Sequence, residues 1–150
     1  MSYQTWVVHP QGCPTGSTQK TCIDARGGVF YSNQSSTWAY EGLYSLYIEE
    51  NLGLDGNAQY GFDTVGLGAL GEGGPTIKNT TVGQVAVEDF YLGIFGLSPK
   101  PTNWSSYLDY SPSYMSLLKQ QNYIPSLSFG YTAGAKYRTC LRLPCLAVAC

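Results

Sequence analysis

The sequence contains few charged residues and a single histidine. Asp, Glu, Lys and Arg make up 12% of the 150 residues, about half of the roughly 25% found in average proteins. Lys and Arg total 8 and are scattered, so no basic patch supports nucleic-acid binding. No nucleophile motif flanks His9, so we expect no Ser-His or Cys-His dyad and interpret His9 as a loop residue.

Long apolar runs are also lacking. No stretch approaches the roughly 18 apolar residues that a membrane span requires. Met1-Ser2-Tyr3-Gln4 has neither the basic nor the apolar region of a secretory signal, so either the protein is intracellular or its natural start lies upstream of Met1. The glycine-rich turn at 71–75 is not followed by the Lys-Ser or Lys-Thr of a phosphate-binding loop, and no cofactor is expected.

Turn-forming and aromatic residues are abundant instead. The chain has 18 Gly, 8 Pro and 13 Tyr, and its 43% apolar content with a net charge of −2 argues against disorder. This composition is typical of an extracellular protein built from strands and turns. Three glycosylation sequons begin at Asn33, Asn79 and Asn103, where chance predicts roughly one, and the excess favours the secretory pathway.

The five cysteines fall into two groups. Cys13 and Cys22 lie in a loop rich in Gly, Pro, Ser and Thr, and they either close a small disulfide or remain free thiols. Cys140, Cys145 and Cys150 recur every five residues in the terminal tail. Their spacing matches no zinc pattern and no fourth ligand is near, so no metal site is expected.

Residue patterning predicts a mostly β fold with one short helix. The helix is expected over 112–121, with Ser111 as its cap, Pro112 in its first turn, and Tyr114, Leu117 and Leu118 on one face. Residues 9–28 are interpreted as a loop. The predicted strands cover 4–8, 81–90, 124–131 and a hairpin formed by 43–48 and 59–67.

The apolar segment 90–97 carries Gly93 and Gly96, three residues apart. Glycines inside a strand-like run mark a bend or a close backbone approach rather than ordinary strand pairing. We therefore expect this segment either to bend or to lie directly against another part of the backbone.

Three segments, in this order, resemble the N-terminal lobe of pepsin-like aspartic proteases, with the character of secreted fungal members. They are Gln4-Thr5-Trp6-Val7-Val8, Tyr60-Gly61-Phe62-Asp63-Thr64-Val65 and Tyr91-Leu92-Gly93-Ile94-Phe95-Gly96-Leu97. Ser35-Ser36-Thr37-Trp38 is similar to the Ser-Ser-Thr-Tyr segment of the family. The resemblance covers residues 2–138 and implies one lobe of a bilobal fold, whereas residues 139–150 form a tail that departs from the family.

The resemblance implies several site residues. Cys13 and Cys22 occupy the place of a small cystine loop. Trp6, Tyr91 and Ile94 match residues of the substrate cleft, although ordinary core packing explains Tyr91 and Ile94 equally well. The flap that covers this cleft is placed at Asn51, Leu52 and Leu54. Family members carry a flap tyrosine that bonds the tryptophan matched by Trp6, and Asn51 stands at about that position.

The resemblance also implies acid-protease chemistry, in which two aspartates share one proton and activate water. The first aspartate would fall two positions before Met1, and a second lobe would follow residue 138. Asp63-Thr64 looks like the start of the catalytic motif, but Val65 replaces its glycine, so Asp63 is interpreted as a non-catalytic strand-end residue. This chain is therefore expected to have no catalytic residue and no peptidase activity alone, since losing one member of a catalytic pair removes most of the rate.

The sequence is compatible with three interpretations. The first is a single lobe of a secreted aspartic-type endopeptidase whose full-length parent acts on a peptide or protein substrate. The second is a non-catalytic secreted binding protein of pepsin-like fold that holds a peptide or glycan. The third is an unrelated all-β surface protein.

Overall fold

A computed structural model describes residues 4–46, 56–68, 72–88, 91–103, 110–131 and 148–149. Within these ranges most regular elements are strands, and the two α-helices are short. Three-ten turns cover Pro10–Gly12 and Ser32–Gln34. The elements are β1 (Thr5–Val8), α1 (Gln19–Ala25), β2 (Ala39–Ser45), β3 (Asn57–Gly66), β4 (Thr76–Val85), β5 (Thr102–Asn103), β6 (Tyr110–Ser111), α2 (Tyr114–Gln120), β7 (Gly130–Tyr131) and β8 (Val148–Ala149).

The main sheet has four strands in the order β1-β4-β3-β2. β2, β3 and β4 form an antiparallel meander, and β1 joins its far side parallel to β4. The strand content confirms a mostly β fold, and the predicted hairpin is present as β2 and β3. The tip of this hairpin, which includes Asn51, Leu52 and Leu54, lies outside the described residues.

Apolar side chains form two clusters. The first contains Trp6, Leu46, Ala58, Tyr60 and Val85. The second collects around α2, whose buried face packs with Ile77 of β4 and with Ile124. Ile94 packs against the first cluster, whereas Phe95 and Leu97 pack against the second. The glycine-containing segment therefore links the two parts of the core.

The same segment lies directly against β1. Trp6 and Ile94 form an antiparallel bridge in which each backbone N–H donates to the other residue's carbonyl oxygen, at 2.7 and 2.8 Å. A Cβ on Gly96 would lie 2.8 Å from the carbonyl carbon of Gln4, and a Cβ on Gly93 would lie 2.9 Å from the carbonyl oxygen of Trp6. Both distances are shorter than real contacts allow, so of the two alternatives predicted from the glycines, a bend or a close backbone approach, the structure shows the close approach.

Several predicted boundaries were wrong. β4 covers Thr76–Val85 rather than 81–90, because its pairing with β3 extends down to Gly66 and Thr76. In α2 the cap is Ser113, whose side chain accepts from the Ser116 N–H at 3.1 Å, so Pro112 lies outside the helix.

Two further elements were misassigned. Residues 124–129 do not form a strand: Pro125 has no N–H to donate, and β7 starts only at Gly130, where it pairs with β8 of the tail. The predicted 9–28 loop contains α1, which has no buried residue. Such a helix shows no apolar periodicity in the sequence.

Candidate functional site

The candidate site is the region where β1, the 91–97 segment and one end of the β2–β3 hairpin meet. This end, residues 43–46 and 57–60 next to the hairpin tip, is called the base of the hairpin. Trp6 lies at its centre and is buried, with 2% of its surface exposed. Ile94 is half-buried and packs beside it. Tyr91 is 51% exposed and contacts Arg26 instead. The structure therefore brings together two of the three residues matched to a substrate cleft, and it places them in the core.

Trp6 belongs to a buried polar triad with Gln4 and Tyr60. Its indole Nε1 donates to Gln4 Oε1 at 3.0 Å and to the Tyr60 hydroxyl at 3.1 Å. The Tyr60 hydroxyl in turn donates to Gln4 Oε1. The sequence did not reveal this triad, because Tyr60 lies at the base of the hairpin rather than at the flap position.

Burial raises the pKa of Tyr60 to about 12, although the hydrogen bond from Trp6 acts in the opposite direction. The phenol ionises near pH 10 in an unfolded chain, so the folded state holds its proton more tightly. The contribution of Tyr60 to stability should therefore be constant below about pH 10 and fall by about 2–3 kcal/mol as the pH rises toward 12. Urea unfolding across this range tests the prediction, and Tyr60→Phe should reduce the slope. An unchanged slope in the variant would contradict it.

The disulfide between Cys13 and Cys22 is present, with Cα atoms 5.7 Å apart. It ties the turn after β1 to α1, and Cys13 is 2% exposed. His9, the residue after β1, caps the three-ten turn Pro10–Gly12 that precedes Cys13: its Nδ1 accepts from the Gln11 N–H at 3.1 Å. Partial burial lowers the pKa of His9, which favours the neutral form that can accept this bond.

Arg26 lies behind the 91–97 segment and is 2% exposed. Its Nε donates to the carbonyl of Tyr91 at 2.8 Å, Nη1 to Gly12 at 2.8 Å and Nη2 to Val87 at 3.0 Å. One guanidinium therefore joins the disulfide loop, the segment after β4 and the start of the glycine-containing segment. The sequence offered only a weak signal, a lone arginine before Gly27-Gly28.

Asp63 lies inside β3, at an irregularity in its pairing with β4, and is 6% exposed. The expectation of a strand-end residue was therefore wrong. Its carboxylate accepts from Ser35 Oγ at 3.0 and 2.9 Å, from Thr37 Oγ1, and from the Thr64 N–H at 2.7 Å. These bonds hold the 35–38 segment against the sheet.

Two of the predicted glycosylation sites, Asn33 and Asn79, are exposed; the side chain of Asn103 lies outside the described residues. The hydroxyl residues of the first two sequons have partners in the fold. Ser35 bonds Asp63, and Thr81 Oγ1 shares a hydrogen bond with Ser111 Oγ. A structural role thus accounts for both hydroxyl residues, and glycosylation stays a prediction.

A small cavity and an open groove lie near the site. A polar cavity of about 10 Å³, lined by Thr5, Thr80, Ser111, Ser113 and their neighbours, has room for about one water molecule. An open groove of about 290 Å³ follows the outer side of β1, between Gly93 and the 26–30 segment. Its lining is mainly apolar, with Val7, Val8, Val29 and Phe30.

The described part of the chain contains no group of three or more His, Cys, Asp or Glu side chains placed to hold a metal ion. None of the helices in the same ranges combines the length and apolar character needed to span a membrane. The three tail cysteines, Cys140, Cys145 and Cys150, lie outside these ranges.

Comparison with known proteins found no matching family model, no matching curated protein and no matching solved structure.

Proposed function

We propose that the chain is the N-terminal lobe of a pepsin-like aspartic-type endopeptidase and that it does not cleave peptides by itself. The observation that carries this proposal is the antiparallel contact between Trp6 and Ile94. In the pepsin-like pattern, the apolar-apolar-Gly strand passes behind the loop that bears the catalytic aspartate. Residues 94–96 lie against β1, with Gly96 packed on Gln4, and this contact supports the proposal.

Other features of the fold support the same assignment. The disulfide follows β1 at the position of the family's cystine loop. An antiparallel hairpin precedes β4, and α2 follows the glycine-containing segment. The disulfide and the sequons fit a secreted parent, because disulfides form and persist in oxidising compartments.

The chemistry explains the proposed inactivity. Cleavage requires two carboxylates that share a proton. None of the aspartates in this sequence is followed by Thr-Gly or Ser-Gly. Asp63, which with Thr64 matches the first two residues of the Asp-Thr-Gly motif, accepts hydrogen bonds from Ser35, Thr37 and the Thr64 N–H. These contacts hold its carboxylate as a structural acceptor within the sheet.

The purified 150-residue chain should therefore show no turnover of a denatured protein substrate at acid pH, where pepsin-like enzymes act. Fragments would be followed by mass spectrometry, with pepsin as the positive control. Cleavage that pepstatin inhibits would refute the proposed inactivity. Cleavage that pepstatin does not inhibit would indicate a contaminant or an unrelated site.

A non-catalytic binding protein of the same fold is the second candidate. Trp6 favours it, because its indole N–H is bound by Gln4 and Tyr60 rather than left for a flap residue. The coding sequence upstream of Met1, read from the transcript, separates the two candidates. An in-frame Asp-Thr-Gly or Asp-Ser-Gly supports the endopeptidase, and Ser, Ala or Thr at the aspartate position supports the binding protein. Any other upstream sequence would contradict both.

A further inference from the structure

α1 gains little stability from its own residues. All seven of them lie in the described part of the chain, and none is buried. Thr18, at its N-terminus, makes no side-chain capping bond. The ion pair between Lys20 and Asp24, at 2.7 Å, is exposed, and such pairs contribute little to stability. Isolated helices this short are not stable in water, so α1 depends on its links to the rest of the fold.

α2 shows what α1 lacks. It also has seven residues, but four of them are buried, namely Tyr114, Met115, Leu117 and Leu118. Its cap, Ser113, accepts from the Ser116 N–H. Burial of apolar side chains therefore holds α2 against the sheet, and α1 has no contribution of this kind.

Two links join α1 to the fold. The disulfide connects Cys22, within α1, to the buried Cys13. It closes a loop, residues 14–21, in which every residue except Gln19 is exposed. The second link is Arg26, the residue after α1, whose guanidinium donates to three backbone carbonyls. Reduction breaks the first link and leaves the second unchanged.

The residues that follow α1 have their own contacts with the sheet. The Phe30 N–H donates to the Val8 carbonyl at 2.9 Å, and residues 26–30 form one wall of the groove along β1. Neither the side-chain bonds of Arg26 nor the bond of Phe30 passes through α1. Loss of α1 would therefore stop at Arg26 and leave this wall in place.

We propose that the Cys13–Cys22 disulfide is a redox switch for α1, and that its reduction releases residues 14–25 and opens the chain to endopeptidases that cleave after Lys20. The reductant is a dithiol. Its thiolate attacks the Sγ of Cys22, which is less buried than Cys13, and the S–S bond breaks with Cys13 leaving as a thiolate that takes up a proton. The second thiol of the dithiol then displaces Cys22. The dithiol is thereby oxidised to a disulfide, and both cysteines are left as thiols.

Digestion by a lysine-specific endopeptidase, with and without dithiothreitol, tests the proposal. The Lys20 side chain is 86% exposed, and cleavage at such a site follows the population of the locally opened chain. We expect dithiothreitol to accelerate cleavage after Lys20 by about tenfold or more, because a disulfide restricts the opened segment at least this strongly. Products are analysed by mass spectrometry after complete reduction, since the disulfide otherwise joins them.

Lys119 provides a matched control in the same digestion. It is an exposed lysine on α2, a helix of the same length as α1, and dithiothreitol should not change the rate of cleavage after it. Equal acceleration at Lys20 and Lys119 would show global unfolding and overturn the proposal. An unchanged rate at Lys20 would also overturn it.

A variant that combines Cys13→Ala with Cys22→Ala separates this disulfide from the tail cysteines. With or without dithiothreitol, it should be cleaved after Lys20 at the rate of the reduced unmodified chain. A remaining dependence on dithiothreitol would assign the effect to other cysteines and contradict the proposed switch.

Amide hydrogen exchange in the unmodified chain covers the case in which the variant does not fold. Dithiothreitol should remove the protection of the Cys22 amide, which donates to Thr18, and leave the Phe30 amide protected by its bond to Val8. Loss of protection at both amides, or at neither, would overturn the proposal. None of these outcomes depends on peptidase activity of the chain, so the endopeptidase assignment is tested separately.

Discussion

Arg26→Met should lower the free energy of unfolding by about 4 kcal/mol or more, because it removes three hydrogen bonds from a charged donor, one buried and two partly buried, and such bonds contribute about 1.5–3 kcal/mol each. The methionine side chain fills part of the same volume but cannot donate. The carbonyls of Gly12, Val87 and Tyr91 would then lose their bonds to the guanidinium. Few single substitutions have effects this large, and those that do mostly break buried networks. Urea unfolding at neutral pH measures the loss.

Two companion variants sharpen this prediction. Arg26→Lys keeps the charge but not the planar fork that reaches three acceptors at once, so it should be intermediate. Lys20→Met removes a cation from the surface, where Lys20 is 86% exposed and pairs with Asp24 at 2.7 Å. It should change stability by no more than about 0.5 kcal/mol. Equal midpoints for Arg26→Met and Lys20→Met would show that the three carbonyl bonds contribute nothing.

Local sequence signals predicted those parts of the fold that depend on local structure. The hairpin, the amphipathic face of α2 and the close approach at Gly93 and Gly96 follow from side-chain periodicity and glycine geometry. α1 left no such signal, because none of its residues is buried. The start of β4 was missed because it depends on pairing with Gly66 of β3.

The buried polar network was beyond prediction for a different reason. The bond between Trp6 and Tyr60 spans 54 residues of sequence. It requires knowing that β4 lies between β1 and β3 and that Gly83 falls in their shared row. Strand order is a property of the whole sheet, so no local pattern contains it. Arg26 is similar, because its acceptors at Val87 and Tyr91 are 61 and 65 residues away.

Asp63 shows that a short sequence motif can suggest a wrong role for a residue when its hydrogen-bond partners are distant in sequence. Asp-Thr invites a catalytic interpretation, and the missing glycine argues against it. The positive reason for the aspartate becomes visible only when Ser35 and Thr37, 28 and 26 residues upstream, are found donating to its carboxylate. A buried carboxylate is tolerated when it is hydrogen-bonded in this manner.

Asp63→Asn should therefore destabilise the fold by about 2–3 kcal/mol, since hydrogen bonds to a charged acceptor contribute about 1.5–3 kcal/mol. The amide offers one acceptor oxygen where the carboxylate offers two, and Ser35 Oγ contacts both carboxylate oxygens. The 35–38 segment should loosen first. The contact between Phe30 and Trp38, with ring centroids 5.5 Å apart, would report this loosening through tryptophan fluorescence. Asp24→Asn, in the exposed pair with Lys20, is the control and should change little.

A double-mutant cycle distinguishes a structural carboxylate from one that is only buried. Ser35→Ala should cost about 1.5 kcal/mol or more in the unmodified chain and much less when Asp63 is already Asn, because the two residues share one network. Additive costs would show that Ser35 and Asp63 act independently and would contradict the proposed role.

A catalytic role for Asp63 predicts a different result: in an active full-length parent, Asp63→Asn would abolish cleavage while leaving the unfolding midpoint unchanged. The hydrogen bonds of Asp63 predict instead that the substitution lowers the unfolding midpoint, and that activity falls only as far as the amount of folded protein falls.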